Sequence, residues 1–293
     1  MDDDLRRAIE RLVPAGGGAQ WRHVGASGFG DAWSVDAGGR RHFVKIASQG
    51  RAEMIDCEAD GLRALAGTGA IRVPRIVASG STGSSAFLVL EWLDVAGPAQ
   101  AMLGRSLAQL HRAQPPQGPH GERFGWHRDN WIGATLQVNT WSDDWCAFFR
   151  DQRLAPQLAR AADNGHRGLQ HPGGELLAAL PTLLGDHRPV PSLVHGDLWS
   201  GNAATLRDGD GAVFDPAVYV GDREVDLAMI ELFGGFDPGF RDAYEARWPL
   251  DDGYPLRRDV YNCYHLLNHL NLFGSGYLSR VQSCIATLLA ATR

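Results

Sequence analysis

Cysteine is scarce in this chain. Its four copies in 293 residues (Cys57, Cys146, Cys263 and Cys284) stand apart with no C-x-x-C pair, so neither a zinc ribbon nor a dithiol redox centre fits. Isolated thiols suit a reducing compartment, and the expectation is a cytoplasmic protein with all four buried as small hydrophobes. Long apolar runs are missing too. The longest strand-like run, residues 86–90, is far short of the roughly 20 residues a membrane helix needs. The opening Met1-Asp2-Asp3-Asp4 is charged and does not read as a signal peptide. Basic clusters are absent as well: acidic side chains outnumber basic ones 34 to 28, for a formal net charge of −6. A phosphate-backbone grip on nucleic acid is therefore not expected, and neither is a membrane partner. No internal repeat is visible, and the oligomeric state is not legible.

What remains is an ordinary globular composition, 44% hydrophobic and 21% charged, long enough for one large domain or two lobes. The first ninety residues alternate β patterns with single helices. Residues 5–12 predict a short helix. Strand patterns over 21–35 and 42–46 flank the turn Gly38-Gly39, and residues 51–66 predict a helix with Met54, Ile55, Ala59, Leu62 and Leu65 on one face. Strands are expected at 73–77 and 86–91, separated by a turn-rich 79–85. Beyond Gly97-Pro98 the pattern turns helical, at 99–111, at the aromatic-rich 142–162, and in two tail helices over 257–293. The stretches 115–125 and 165–174, rich in Gly and Pro, read as loops. The class is α+β in two lobes, with a β-rich N-lobe over 1–93 and a larger, mostly helical C-lobe over 94–293.

The strongest chemical signal is His195-Gly196-Asp197-Leu198-Trp199-Ser200-Gly201-Asn202, followed by Phe214-Asp215-Pro216. Phosphoryl transfer to a hydroxyl needs a carboxylate that orients the hydroxyl and accepts its proton. It also needs an amide oxygen and a second carboxylate to hold magnesium against the nucleotide phosphates. H-G-D-x-x-x-x-N with a later hydrophobic-D supplies these in order, as Asp197, Asn202 and Asp215. A surface turn followed by an unrelated Asp would explain the residues singly, but not the strand pattern, spacing and residue types together.

The first lobe carries parts that suit a nucleotide. Gly25-Ala26-Ser27-Gly28-Phe29-Gly30 lies between strand patterns, where a phosphate-covering loop would sit, with Gly25, Ser27 and Gly28 as its candidate contacts. A plain glycine turn fits that string equally well. Lys45 follows a strand, and Glu58 sits on the apolar face of the next helix, where an unpaired charge is costly, so the two are expected to form an ion pair. Glu91-Trp92-Leu93 ends the last strand at the lobe junction, where backbone groups could hold an adenine. Only ten residues, 216–225, separate Asp215 from the helix-like Asp226-Leu227-Ala228-Met229. That leaves no room for a peptide-binding platform, so the expected acceptor is a small molecule.

The strings Leu198-Trp199-Ser200-Gly201-Asn202, Phe214-Asp215-Pro216-Ala217 and Gly221-Asp222-Arg223-Glu224-Val225-Asp226-Leu227-Ala228-Met229 resemble the fructosamine kinase (ketosamine-3-kinase) family. So do Asp129-Asn130-Trp131-Ile132-Gly133 and Asn139-Thr140-Trp141. The likeness spans nearly the whole chain. It implies a protein-kinase-like, aminoglycoside-phosphotransferase-like fold, with ATP and Mg2+ as cofactors and a free or protein-bound ketosamine phosphorylated on its 3-hydroxyl. In the family the product then breaks down and releases the amine, which is deglycation. The nearest rivals are a kinase for an aminoglycoside, choline or a free sugar, and a non-catalytic nucleotide-binding module.

Weaker candidates surround this core. Trp199, Asn130, Trp131 and Trp141 could shape the acceptor side or simply pack. Asp222, Arg223 and Asp226 are expected to brace the catalytic loop and cap the next helix. His111 reads as a buried structural histidine. His265 and His269 have an i, i+4 spacing that could hold zinc, but the Glu of H-E-x-x-H is missing.

Overall fold

The structure is a computed structural model that describes residues 3–13, 18–27, 30–97 and 100–293. A short helix α1 (Asp3–Glu10) precedes strands β1 (Gln20–Ser27), β2 (Gly30–Ala37) and β3 (Arg40–Ser48). Helix α2 (Ala52–Gly67) and strands β4 (Ile76–Ser81) and β5 (Ser85–Glu91) follow. The five strands form one antiparallel sheet in the order β1-β2-β3-β5-β4. Side-chain alternation along β3 decides what each face does. Val44 and Ile46 point into a small core with Leu5 and Ile9 of α1, whereas Ala47 joins the main core with Ile55 and Leu62 of α2. Lys45, between Val44 and Ile46, is thereby turned toward α2.

Strand β4 begins later and runs further than expected. Pro74 has no N–H to give a ladder, and pairing starts at Ile76 opposite Leu90, with a bulge before Ala78. The small residues 79–81 then pair with β5, where Gly80 leaves room for the Phe87 ring.

A short strand β6 (Val95–Gly97) leads into α3 (Ala101–Arg112), and the hairpin β7 (Asn130–Ile132) and β8 (Thr135–Gln137) follows an irregular stretch. The aromatic-rich segment is helical but not uniform. Asp144 caps α4 (Trp145–Phe149), its Oδ1 accepting from the Ala147 N–H at 2.7 Å. One wide π-type turn (Arg150–Leu154) precedes α5 (Ala155–Asp163). The fully buried Arg153 on that turn lies 4.7 Å from the Phe148 ring centre and 4.1 Å from that of Tyr219. The expected loop over 165–174 is partly helix, since α6 (Gln170–Leu184) starts inside it. Gly173 lets α6 close on α5, because a Cβ there would meet Leu158 at 2.7 Å.

Strands β9 (Pro191–Val194), β10 (Ala203–Leu206), β11 (Gly211–Val213) and β12 (Tyr219–Asp222) are followed by α7 (Glu224–Phe233) and α8 (Pro238–Glu245). The chain closes with the long α9 (Tyr254–Phe273) and α10 (Leu278–Ala290). Strand β12 pairs with β9, while β10 pairs with both β11 and β6. Most of α9 is buried. Cys57 and Cys263 are buried and Cys146 and Cys284 partly so; all four are free. The expectation of four buried cysteines thus holds for two. Among the described residues no helix is long and apolar enough to cross a membrane.

Candidate active site

Two loops between short strands make the centre. Residues 195–202 join β9 to β10, and residues 214–218 join β11 to β12. Gly196 is left-handed (φ +80°), and a Cβ there would collide with the Ala217 carbonyl, so only glycine lets the loops approach. Cross-links hold them together: Ala217 N–H to the His195 carbonyl at 2.9 Å, Phe214 N–H to the Asn202 carbonyl at 3.0 Å, and the His195 ring to the Phe214 carbonyl at 3.0 Å.

Asp226 braces the first loop from below. Its Oδ2 accepts the His195 N–H at 2.7 Å and its Oδ1 the Gly196 N–H at 2.8 Å. His111 Nε2 lies 3.1 Å from Oδ2 and its Nδ1 2.8 Å from the Tyr244 hydroxyl, which also accepts from Arg223. A consistent proton assignment has His111 Nε2–H donating to Asp226 and the Tyr244 O–H donating to Nδ1. Burial works to raise the Asp226 pKa, but the hydrogen bonds from His111 and from the His195 N–H overcome it and hold the carboxyl below its ordinary range. Asp222 accepts the Glu224 N–H at 3.0 Å at the start of α7, and Arg223 donates to the Trp248 and Pro249 carbonyls. All three residues act as framework.

Above that frame, Asn202 Nδ2 donates to the Asp197 backbone carbonyl (2.8 Å) and carboxylate (3.2 Å), leaving its own amide oxygen as an acceptor. Burial, reinforced by the charge of Asp215 and opposed by the Asn202 hydrogen bond, pushes the Asp197 pKa up to about 7. Asp215 is the one non-glycine residue with positive φ (+58°) among those described, a strained conformation of the kind held at functional sites. Lys45 Nζ lies 2.7 Å from Glu58 Oε1 and 2.5 Å from Asp215 Oδ1. Burial alone would depress the lysine, but the two carboxylates outweigh it and keep the ammonium charged. Burial pushes Glu58 upward against the pull of Lys45.

Asp197, Asn202, Asp215, Lys45 and Glu58 all face one cavity of about 270 Å³. Asn130, Trp131 and Trp199 line it too, with Trp199 42% exposed at the mouth. Both ends of the Asn130 amide are engaged, its Nδ2 with the Val218 carbonyl (2.7 Å) and its Oδ1 with Gln137 and Asn139. It therefore fastens the β7–β8 hairpin to the Asp215 loop. Trp141 does not line this cavity; it packs over Gly118 and Gly125, where an added Cβ would collide with its backbone or ring, which is the packing alternative.

A second cavity is walled by Phe43, Glu91, Trp92, Leu93 and Phe214, and reaches Asp215. The Glu91 carboxylate is taken by Arg72 (2.6 Å) and the Arg75 N–H (3.2 Å), so what the strand end offers a ligand is backbone. Arg41 lies 5.2 Å from the Trp92 ring centre. Gly25 is in a positive-φ conformation (+154°) beside a bulge in β1, and Ser27 ends that strand opposite Gly30. Gly28 lies outside the described residues.

Sequence reasoning missed the wall that α9 supplies. Asn268, His269, Leu272 and Phe273 line the first cavity, as do Ile132, Gly133 and Met229. The available signal was the polar pair Asn268-His269 set between Leu266-Leu267 and Leu270. The His265–His269 spacing drew attention to metal instead. In the structure His269 Nδ1 meets the His265 carbonyl at 2.9 Å, and burial pushes the His265 pKa down to about 3.

Comparison with known proteins agrees with this geometry. Residues 13–291 match the family model described as fructosamine kinase. A Synechocystis protein named as a probable ketoamine kinase is 42% identical over 272 residues, covering 92% of this chain and 90% of its own. The chloroplastic protein-ribulosamine 3-kinase of Arabidopsis thaliana is 39% identical, covering 97% and 87%. A solved Thermobifida fusca structure with a provisional fructosamine-3-kinase assignment superposes with a TM-score of 0.81 at 33% identity, covering 92% and 93%. A more remote likeness, to an aminoglycoside phosphotransferase (TM-score 0.60, 16% identity), shows the shared protein-kinase-like fold alone. With nearly all of its length matched in this way, the chain belongs to the fructosamine kinase family.

Proposed function

We propose that this protein transfers the γ-phosphoryl group of ATP to the 3-hydroxyl of a ketosamine, the sugar–amine adduct left by glycation. The observation that carries this reading is the convergence of Asp197, Asn202 and Asp215 on one cavity, with the buried Lys45–Glu58 pair beside them. The names of the two relatives and of the family support the substrate class and the position phosphorylated.

Each group has a separable task. The Asp197 carboxylate, with a pKa near neutrality, accepts a hydrogen bond from the acceptor hydroxyl and takes its proton as the oxygen–phosphorus bond forms. The bond from the γ-phosphorus to its bridging oxygen breaks, and ADP leaves. Lys45, held by Glu58, neutralises phosphate charge, and the cavity walled by Phe43, Trp92 and Phe214 takes the adenine. The free amide oxygen of Asn202 and the carboxylate of Asp215 form a hard oxygen donor set of the kind that suits Mg2+. That ion would supply phosphate charge neutralisation. No covalent enzyme intermediate is required, since positioning and electrostatics carry such transfers. We place the boundary of the two lobes at 93/94 and the protein in the cytoplasm, where free thiols persist.

ADP release with a panel of ribulosamines, fructosamines, aminoglycosides, choline and free sugars tests the reading. Turnover confined to the ketosamines is the expected result. Preference for a rival acceptor would overturn the substrate class, and ATP binding without turnover of any acceptor would overturn the kinase reading.

A further inference from the structure

A line of four side-chain amides runs from the protein surface to the acceptor cavity. Asn164, exposed just after α5, donates from Nδ2 to Asn271 Oδ1 at 3.2 Å. Asn271 Nδ2 donates to Gln157 Oε1 at 2.7 Å, and Gln157 Nε2 donates to Asn268 Oδ1 at 3.1 Å. Gln157 and Asn268 are 3% and 2% exposed, so neither amide is oriented by bulk water. The direction of the line is not arbitrary. Asn271 Nδ2 also lies 2.9 Å from the Gln157 backbone carbonyl, which can only accept, so that end of Asn271 must be nitrogen. Gln157 must then present its oxygen to Asn271 and its nitrogen to Asn268. Asn268 receives on its oxygen and is left with its NH2 as the group available to the cavity it lines.

We propose that Asn268 is a specificity-determining residue, whose amide donates a hydrogen bond to a hydroxyl or carbonyl oxygen of the bound sugar adjacent to the attacking hydroxyl. Gln157 and Asn271 are positioning residues that fix the sense of that donor. This rests on the ketosamine reading above and adds how the acceptor is recognised. The chemistry suits a neutral polyol. Asp197 offers an acceptor to the hydroxyl that reacts, while Asn268 offers a donor to an oxygen that does not. A site built around an oriented donor rejects an analogue lacking its partner oxygen, because the donor is then desolvated and unpaired.

Steady-state kinetics with a fructosamine and its series of single-position deoxy analogues, monitored by ADP release, decide the matter. In the native enzyme one deoxy analogue should show an acceptor KM raised by about 10-fold, the scale of one neutral hydrogen bond. Asn268→Leu should raise the KM of the parent acceptor by a similar factor, leave the KM for ATP unchanged, and abolish discrimination against that analogue. Gln157→Glu is the sharper test of polarity. A carboxylate at 157 still accepts from Asn271 but has no proton for Asn268, which then turns its nitrogen toward Glu and its oxygen toward the sugar. That variant touches no substrate, yet should raise acceptor KM with ATP KM unchanged. Its melting temperature reports whether it is folded; if it is not, the Asn268→Leu series with the deoxy analogues decides alone. An unchanged acceptor KM in folded Asn268→Leu, or retained discrimination against the deoxy analogue, overturns the proposal while native turnover leaves the ketosamine reading standing. A native enzyme inert toward every ketosamine overturns both.

Discussion

Replacing Asp197 with Asn should abolish turnover and, without divalent cation or nucleotide, make the protein more stable at pH 8. The two effects have one cause. The carboxyl is pushed from its ordinary 3.8 to about 7 by burial and by the charge of Asp215. A raised folded pKa means the folded chain holds the proton more tightly than the unfolded chain. The stability tied to the neutral acid is complete below about pH 4, is lost as pH rises through 7, and stays lost above it. Asn is nearly isosteric with the neutral acid and does not titrate, so it keeps what the carboxylate forfeits.

The size of the gain follows from the shift. A gap of about three pH units at about 1.4 kcal/mol each sets a ceiling of about 4 kcal/mol. The carboxyl faces a cavity open to water, which screens part of this, so about 2–4 kcal/mol is expected. For a chain of this length, with an unfolding entropy of about 2 cal/mol/K per residue, that is a rise in Tm of about 3–6 °C. Scanning calorimetry in EDTA at about pH 4.5, 6, 7, 8 and 9 should show the melting curves of the two proteins diverging with pH and running parallel above about 7.5. A constant difference across that range, or a variant less stable at pH 8, would refute the claim that an uncompensated carboxylate charge is held at this position. Full activity in the variant would refute the base assignment.

Other perturbations separate the parts of the site. Asp226→Asn removes the charged acceptor of two backbone N–H groups and His111, and should cost about 3 kcal/mol in urea unfolding at pH 7. Because the folded pKa of Asp226 is lowered, its contribution is present above the ordinary carboxylate range, and the gap between native and variant should shrink as pH falls through the folded value. Glu58→Gln removes the carboxylate that holds Lys45 from α2 and should lower kcat/KM for ATP by at least about 10-fold with little change in acceptor KM. Trp131→Ala should raise acceptor KM and Trp141→Phe should not, since only Trp131 lines the acceptor cavity. Equal effects from both would return Trp141 to the site.

The parts of this site that could be read from residues alone are those that chemistry ties to local order. Asp197, Asn202 and Asp215 sit on short loops whose spacing reflects the reaction, and Glu58 stands out because a charge on the apolar face of a helix demands a partner. Lys45 is legible through that partner. The acceptor wall is different. Asn268 and His269 lie far along the chain on a helix whose burial and apolar pattern serve the core equally well. Only the approach of α5 to α9 turns a buried Gln and three Asn side chains into a line with a direction. Trp141 shows the converse: an aromatic in a matching string packs on Gly118 and Gly125, whose missing side chains make room for it. The helix over 170–174 escaped notice because Gly173 and Gly174 read as loop, whereas Gly173 is the close-approach point of two helices. What the linear pattern withholds is which face of each helix another helix will cover. In this fold that choice makes an ordinary amide a reader of sugar oxygen.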